Sequence, residues 1–214
     1  MIDIGKLNNF GWVEIDGVTS KEDLTSIANN LGTIKPHPNG ELVFRLKASA
    51  GKDSVKGSFS NVYGYSEFPL HTDTAFWSVP ARYLVLGMIN KSGCNTHVVS
   101  IYDVFRKLGS ETSSLSKSSI YMIDTIEGKK YVSLYFKYLS QTGFRFDANC
   151  MKPINIDAKH FHSKMIDCLS NINTTPITWS GNKAIILDNW KTLHGRRSVP
   201  YSEHNRELFR VYTG

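Results

Sequence analysis

Short segments rich in β-branched and aromatic residues recur along this chain, and they constrain its fold more than any other feature. Each is bounded by turn residues, which is the pattern of a β-strand. The predicted strands are 11–15, 42–46, 83–89, 131–138, 177–179, 184–187 and 208–212. The Ser-Gly-Asn at 180–182 predicts a hairpin turn between two of them. Many short strands with few helices indicate a sandwich or a barrel.

Three segments have helical spacing instead. Ser20 and Asp23 have the spacing of a capping box, and Gly32 is placed to end the helix that follows. A short helix is predicted after Ser100, and another from near Asp157, because apolar residues there recur at helical intervals. We therefore expect a mainly β protein with a few flanking helices.

Two stretches are too polar and glycine-rich to assign to either class. Residues 47–61 are rich in Gly, Ser and Lys, and residues 110–119 are nearly all Ser, Thr and Lys. Both are predicted to be surface loops. The first is a candidate lid or a plain connector, since long loops in compact domains often cover binding sites. For the second we expect a connector.

Length and composition are those of an ordinary globular protein. The chain has 214 residues, of which 41% are hydrophobic and 21% charged, and no internal repeat or composition break divides it. This is enough chain to bury a core without disulfides or structural metals. We expect residues 1–214 to form one domain.

The cysteines and the hydropathy of the sequence indicate the cellular compartment in which the protein is expected. Cys94, Cys150 and Cys168 form no CxxC pair, and their odd number argues against a disulfide framework. The first ten residues lack the basic-then-apolar pattern of a secretory signal, and no apolar run is long enough to span a membrane. The expected location is the cytoplasm, with no membrane partner.

The formal charge of +6 leaves two readings open. The basic residues are scattered, apart from local excesses at Lys47, Lys52 and Lys56 and between 183 and 210. They form either a solvated surface or a cleft that attracts an anionic small substrate. A nucleic-acid partner is not expected, because it would require a basic stripe on one face.

The most informative polar residues are His71 and Asp73. In an extended strand, residues two apart point to the same side, so both side chains can grip one ion. The His-x-Asp tripeptide alone is common by chance, and a second histidine is needed. His194 offers it, because it follows an apolar strand and a turn and is followed at once by Gly195. Two imidazoles and one carboxylate are typical of non-haem iron(II) oxygenases.

Two arginines near the C-terminus supply a candidate anion anchor. Arg206 and Arg210 follow His194, and on a strand over 205–212 they would point the same way. A guanidinium binds a carboxylate through two parallel hydrogen bonds. The alternative for either arginine alone is a solvated surface charge.

These motifs resemble those of the taurine dioxygenase (TauD/TfdA-like) family, including its clavaminate-synthase-like branch. The matching stretches are 68–77, Pro80, 93–96, 188–190, 194–196 and 206–210. The resemblance implies a double-stranded β-helix (jelly-roll, cupin-like) core within a mainly β fold. It covers nearly the whole chain, although Cys94-Asn95 replaces the family's Gly-Asp before the threonine.

The resemblance also implies an activity. A member of this family is an Fe(II)- and 2-oxoglutarate-dependent dioxygenase, which uses O2 and releases succinate and CO2. It would hydroxylate an unactivated carbon of a small polar substrate, such as a free amino acid or a natural-product intermediate. The retained Asp73 argues against halogenation, because iron-halogenating relatives have a small residue at the corresponding position.

Residue roles follow from the same resemblance. It assigns the metal to His71, Asp73 and His194, and 2-oxoglutarate to Thr96 and Arg206. Arg210 would assist Arg206 or bind an acidic group of the substrate.

Substrate contacts are less specific in the sequence. Ser58, Ser60 and Asn61 could supply hydrogen bonds from a lid. Phe76 could form a dry wall with Trp77. Arg145 or Asp147 could pair with the charged ends of a zwitterion. For Phe76 a core position is the favoured alternative, and for Arg145 and Asp147 the alternative is an ordinary ion pair. The histidines at 37, 160, 162 and 204 are expected at the surface.

Three alternatives remain. A zinc hydrolase could use the same three ligands, but it would need a general base and an oxyanion donor beside them. A binding module could keep the fold without activity. A 2-oxoglutarate oxygenase could instead act on nucleic acid, which would need base-stacking aromatics and a basic stripe near the site.

Overall fold

The computed structural model describes residues 2–37, 39–49, 58–125 and 128–214, and its strands form four antiparallel sheets. The helices are α1 (Ile4–Phe10), α2 (Lys21–Asn29), α3 (Phe59–Tyr63), α4 (Ile101–Ser118) and α5 (Ile156–Ser170), with a 3-10 turn at Tyr201–Glu203. The strands are β1 (Trp12–Asp16), β2 (Ile34–Lys35), β3 (Phe44–Lys47), β4 (Phe68–His71), β5 (Tyr83–Met88), β6 (Ser92–Ser100), β7 (Ile120–Thr125), β8 (Gly128–Ser133), β9 (Tyr135–Tyr138), β10 (Gln141–Phe144), β11 (Met151–Pro153), β12 (Thr175–Trp179), β13 (Lys183–Asp188), β14 (Thr192–Arg196) and β15 (Glu207–Thr213). The prediction of a mainly β chain with flanking helices is confirmed.

The larger sheet has the order β1-β13-β5-β15-β2, with β3 also paired to β15. In its central strand β5, Leu84, Leu86 and Met88 join one buried cluster while Val85 joins another on the opposite face. Both faces of the sheet are therefore covered, which explains why β5 and β13 are almost continuously apolar.

The smaller sheet has the order β12-β6-β14-β4. Val98 of β6 and Ile177 and Trp179 of β12 share a buried cluster with Leu84 and Leu86 of the larger sheet. The core between the two sheets is built from these side chains, so the polar residues of β6 and β14 lie beside an apolar interior.

The outer face of the larger sheet is covered by α1 and α2. Ser20 and Asp23 form the predicted capping box, and Leu24 and Ala28 are buried on the sheet side. Gly87 of β5 leaves room for Leu24, because a Cβ at Gly87 would lie 2.4 Å from a Leu24 methyl group. The helix ends at Asn29, before Gly32.

A separate layer consists of α4, α5 and the three-stranded sheet β11-β7-β8. Val104, Phe161 and Met165 from the helices pack with Tyr121 and Ile123 of β7, and all are buried. The two helices predicted after Ser100 and from Asp157 thus exist. α4 is kinked at Gly109, whose φ of 78° and ψ of 168° are not helical, and its segment before the kink is the predicted short helix.

The prediction of a loop at 110–119 is wrong, because a second helical segment of α4 follows the kink at Gly109 and ends at Ser118. Hydroxyl groups in this stretch bond back to carbonyl groups of the same helix: Ser113 to Gly109 and Ser116 to Ser113, both at 2.6 Å. Leu115 packs against the core under the helix. Side-chain bonds of this kind satisfy serine within a helix, so a serine-rich sequence does not exclude one.

The Ser-Gly-Asn turn at 180–182 is present, but it is not a hairpin. Gly181 and Asn182 have positive φ angles of 90° and 49°. The strands that the turn connects lie in different sheets, β12 in the smaller and β13 in the larger. The turn therefore carries the chain from one sheet to the other.

Two other predicted segments are divided in the structure. The strand predicted at 131–138 is interrupted between β8 and β9 at Leu134, which is buried. In the loop predicted at 47–61, Lys47 ends β3 and Ser58 caps α3, and the part between residues 50 and 57 lies outside the described residues. Within the described ranges, the helices are all too short or too polar to cross a lipid bilayer.

Candidate metal centre

Two of the predicted ligands lie opposite each other on neighbouring strands. His71, the last residue of β4, is in register with His194 of β14, and their ring centroids are 4.6 Å apart. Gly195 allows this close approach, because a Cβ there would lie 2.5 Å from the carbonyl oxygen of Phe68. Strand pairing therefore positions the two imidazoles, and the glycine after His194 has a steric function.

Asp73 completes the group, but it does not lie on the strand that carries His71. β4 ends at His71, and Asp73 is in the turn that follows. Its carboxylate oxygens lie 3.6 Å from Nε2 of His71 and 3.9 Å from Nε2 of His194. One ligand atom from each of the three residues falls within 4.8 Å of the others, and all three residues are buried. The predicted set converges, although through a turn instead of strand alternation.

The imidazole environments suit metal binding. Nδ1 of His71 donates to the carbonyl oxygen of Pro69 at 2.9 Å, which leaves the lone pair of Nε2 directed to the cluster. Nδ1 of His194 is buried and has no hydrogen-bond partner among the described residues. Two nitrogen donors and one carboxylate fit a divalent transition metal with open coordination positions.

Charges around Asp73 keep it ionised. Burial raises its pKa, but the positive charge of Arg210 and the contacts with His71 and His194 hold the pKa well below its usual range. Arg210 donates to both carboxylate oxygens, at 3.2 and 3.4 Å. Burial and the charge of His71 lower the pKa of His194 to about 3, so this imidazole is neutral and able to ligate near pH 7.

The strand that was predicted over 205–212 begins at Glu207, so only one of the two arginines lies within it. Arg206 precedes β15, and its guanidinium contacts the carbonyl oxygen of Cys94 at 3.4 Å. Its Nε is buried and unpartnered within the described ranges. Arg210 lies within β15 and faces Asp73. They therefore contact different parts of the interior.

Thr96 lies on β6, and its hydroxyl oxygen accepts a hydrogen bond from the indole of Trp179 at 3.2 Å. The side chain is buried. Because that oxygen acts as an acceptor, its hydrogen remains available for an anion such as a carboxylate. Thr96 is two residues from Cys94, which Arg206 contacts, so both predicted 2-oxoglutarate residues adjoin the same end of β6.

His37 is not a simple surface residue. Its Nε2 lies 2.9 Å from the guanidinium of Arg210, and its ring stacks on Phe44 at 3.9 Å and near Tyr212. No pattern around His37 in the sequence indicated this contact, because β2, β3 and β15 meet only in the folded sheet.

The other histidines predicted at the surface differ from one another. His160 is exposed, whereas His162 and His204 are partly buried, and His204 stacks on Tyr65 with ring centroids 3.5 Å apart.

Arg145 and Asp147, predicted together for substrate, have different environments. The guanidinium of Arg145 donates to the carbonyl oxygens of Ala75, Trp77 and Ser78 at 2.7 to 3.0 Å, so it stabilises the turn after Asp73.

Asp147 is the member of this pair that adjoins the cluster. Burial raises the pKa of Asp147, and the positive charge of His71 opposes the shift. Backbone and hydroxyl hydrogen bonds between Thr72 and Phe146 bring this carboxylate beside the cluster.

The predicted lid residues lie at the start of α3. Ser58 caps the helix by accepting from the amide of Asn61 at 3.2 Å, and Ser60 is half-buried in its first turn. The neighbour that contacts the cluster is Phe59, whose ring stacks on His71 at 4.0 Å. Sequence reasoning had not selected Phe59. Phe76 is 38% exposed and its ring meets that of Trp77 edge-on, so it is not a core residue.

Comparisons with known proteins identify the fold. No family model matches the chain, and no curated protein matches it in sequence. Among solved structures, an asparagine oxygenase in complex with Fe(II), (2S,3S)-3-hydroxyasparagine and succinate matches 98% of this chain and 77% of its own, with a TM-score of 0.80 and 15% identity.

Two further structures agree. The non-haem iron oxygenase OrfP, in complex with Fe, succinate and (3S)-hydroxy-L-Arg, matches 99% of this chain and 77% of its own, with a TM-score of 0.74 and 17% identity. PvcB from Pseudomonas aeruginosa, an Fe, α-ketoglutarate-dependent oxygenase from an isonitrile synthetic pathway, has a TM-score of 0.71, 17% identity and coverage of 98% and 78%. The resemblance found in the sequence is thus confirmed for the fold: this chain has the fold of the non-haem iron oxygenases.

Proposed function

We propose that this chain is an Fe(II)- and 2-oxoglutarate-dependent oxygenase that acts on a small polar molecule. The observation that carries the proposal is the convergence of His71, Asp73 and His194, whose ligand atoms lie within 4.8 Å of one another inside a fold shared with such oxygenases. Fe(II), 2-oxoglutarate and O2 together would supply oxidation of an unactivated C–H bond, with release of succinate and CO2.

The three ligands are suited to hold the ion. The Pro69 carbonyl fixes the His71 tautomer, and Asp73 is kept anionic by Arg210. Ligating histidines are commonly oriented in this way by a backbone carbonyl. Three protein ligands would leave the remaining coordination positions for small molecules.

Arg206 and Thr96 are our candidates for the distal carboxylate of 2-oxoglutarate. The support is the buried Nε of Arg206, which has no hydrogen-bond partner among the described residues, and the buried hydroxyl of Thr96, two residues along β6 from the Cys94 carbonyl that Arg206 contacts. A carboxylate would satisfy both groups through charge-assisted hydrogen bonds.

We propose a free amino acid as the substrate class. The buried Asp147 carboxylate would accept from an ammonium group, and Arg210 would attract a carboxylate. The buried centre supports a small molecule over a nucleic acid. Two proteins of the same fold were solved with hydroxylated amino acids, 3-hydroxyasparagine and (3S)-hydroxy-L-Arg.

We also propose that the two larger sheets constitute a double-stranded β-helix core and that residues 1–214 form one domain. In support, β1 and β15, from the two ends of the chain, belong to one sheet. The three unpaired cysteines suit a reducing compartment such as the cytoplasm.

The test is spectroscopic and then chemical. Anaerobic protein mixed with Fe(II) and 2-oxoglutarate should develop a weak visible charge-transfer band, which His71→Ala should abolish. His160→Ala is the matched control, because His160 is exposed on α5. Succinate release is then screened across free amino acids, sulfonates and small acids. Turnover supported by Zn(II) and indifferent to 2-oxoglutarate would make the chain a hydrolase and refute the proposal.

A further inference from the structure

The carboxylate ligand differs from the two imidazoles in how the fold holds it. His71 and His194 are fixed by strand pairing within the smaller sheet. Asp73 lies in the turn 73–79, outside any strand, so no sheet ladder sets its position. Something else must fix the distance between the carboxylate and the imidazoles.

Asn189 contacts the Asp73 backbone from outside the turn. Its Oδ1 accepts from the Asp73 amide at 2.9 Å, and its Nδ2 donates to the Asp73 carbonyl oxygen at 3.0 Å. The same Nδ2 donates to the carbonyl oxygen of Ala81 at 2.9 Å. One amide group therefore holds both backbone polar groups of the ligand and the far end of its turn.

Asn189 is itself firmly placed. It is completely buried, it directly follows β13, and its backbone amide donates to the carbonyl oxygen of Arg82 at 2.8 Å. It thus belongs structurally to the larger sheet, whereas both imidazoles belong to the smaller one.

The turn also needs external support. Thr74 has a φ of 55°, which is unfavourable for a β-branched residue and persists only where neighbouring bonds enforce it. The Thr74 hydroxyl donates to the Asp73 carbonyl oxygen at 2.7 Å and accepts from the Ala81 amide at 2.9 Å. The carbonyl oxygen of Asp73 is therefore shared by Thr74 and Asn189.

From this geometry we propose that Asn189 is a positioning residue for the metal, which sets the carboxylate of Asp73 against the two imidazoles by tying it to the larger sheet. The proposal rests on the metal centre of the proposed function. It assigns a role to the Asp-Asn-Trp motif at 188–190, which resembles the family in sequence but had no predicted function.

The experiment measures metal affinity directly. Co(II) is titrated into the metal-free protein, and its visible d–d bands report both the dissociation constant and the ligand set. Asn189→Leu approximately preserves the side-chain volume and removes all three hydrogen bonds, and Asn189→Ser is the milder variant if the leucine protein does not fold. Each should raise the dissociation constant by roughly 10- to 100-fold, the usual effect of losing a group that orients a ligand.

Trp190→Phe is the matched control. Trp190 is the next residue and is also buried, and its indole donates to the carbonyl oxygen of Pro80 in the same turn region at 3.0 Å. Its indole hydrogen bond is thus to Pro80 and not to Asp73. This variant should lower the unfolding midpoint while leaving the Co(II) dissociation constant within about twofold.

A double-mutant cycle separates positioning from general stability. In an Asp73→Ala background, Asn189→Leu should have almost no further effect on Co(II) affinity, because the group that it positions is absent. Equal effects in both backgrounds, or an unchanged dissociation constant in Asn189→Leu itself, would overturn the role of Asn189 and leave the proposed function standing. A wild-type chain that binds no Co(II) or Fe(II) would overturn the proposed function and this inference with it.

Discussion

The guanidinium of Arg210 lies 3.2 Å from Oδ2 and 3.4 Å from Oδ1 of Asp73, and the two side chains are only 15% and 10% exposed. Arg210 also contacts His37, and its guanidinium lies over the ring of Tyr212 at 4.8 Å. The candidate metal ligand therefore has a fixed positive partner from the larger sheet. Several measurable consequences follow from this pair and from the elements around it.

Replacing Arg210 should destabilise the metal-free protein. Arg210→Met leaves the Asp73 carboxylate buried beside two imidazoles without its main countercharge, which typically costs about 3 kcal/mol of unfolding free energy. A divalent ion should restore part of that loss, because it supplies positive charge at the same carboxylate. Urea unfolding with and without Co(II) measures both effects.

The control for this variant is Arg197→Met, which breaks an exposed ion pair with Glu67. Exposed pairs contribute little, so its stability should be close to that of the wild type. If Arg210→Met is no less stable than Arg197→Met, the Arg210–Asp73 pair is not a significant interaction.

Arg206→Lys should weaken 2-oxoglutarate binding on the order of 100-fold while the metal remains bound. Lysine keeps the charge but cannot form two parallel bonds to a carboxylate. The measurement is titration of the charge-transfer band with 2-oxoglutarate at fixed Fe(II). Arg45→Lys, at an exposed position on β3, serves as the control. Equal affinities in both variants would show that the anchor is elsewhere.

Gly195→Ala should separate β14 from β4. The added Cβ would lie 2.5 Å from the carbonyl oxygen of Phe68, so the two strands must move apart. Because His194 and His71 face each other on these strands, the distance between their imidazoles would increase. We expect a loss of about 2 kcal/mol in unfolding free energy together with weaker Co(II) binding. Gly5→Ala in α1, where the nearest atom is 3.4 Å away, should leave Co(II) binding unchanged and slightly raise the unfolding free energy, because alanine restricts the unfolded chain more than glycine does.

Acid should destabilise the metal-free chain partly through His194. Burial, aided by the charge of His71, lowers its pKa from 6.5 to about 3, so between these values the unfolded chain binds a proton that the folded chain does not. The unfolding free energy therefore falls as the pH is lowered through this window. His194→Asn should show a smaller decrease between pH 6.5 and about 4 in urea unfolding.

His71 changes the pH dependence of the unfolding free energy in the opposite direction. Burial lowers its pKa, but the hydrogen bond and charge of Asp73 outweigh burial and raise it above the ordinary value. Its contribution is complete below pH 6.5 and is lost as the pH rises through the folded-state value. If His194→Asn and the wild type lose stability equally on acidification, His194 is not held neutral by the fold.

The sequence predicted best the elements in which the spacing of apolar residues shows which side chains are buried. The apolar run of β5 and β13 and the spacing of Leu24 and Ala28 on α2 follow from which face each side chain covers. It failed for β6, Ser92–Ser100, because polar residues such as Thr96 and His97 occupy a strand next to the candidate site. β4 was likewise hidden, since it contains Pro69 and lies at a sheet edge, where proline is tolerated.

The candidate ligands could be predicted because a metal centre requires particular donor types, and His71, Asp73 and His194 carry them in recognisable motifs. Their neighbours could not. Asn189 contacts Asp73, Phe59 contacts His71, and His37 contacts Arg210 beside them. Each pair is far apart in the chain, and nothing local marks an asparagine or a phenylalanine for such a role. Arg145 had the type expected of a substrate residue, but it bonds to three carbonyl groups of a turn.

The position of β4 has a consequence for how the centre is loaded. Among the strands of the described residues, β4 pairs only with β14 and lies at the edge of its sheet, so opening of this strand would not require the two larger sheets to separate. An ion held by both His71 and His194 would cross-link this edge strand to its neighbour. Amide hydrogen exchange at 68–71 should therefore slow markedly once the protein is metallated, and slow release of the ion would be limited by local opening of one strand.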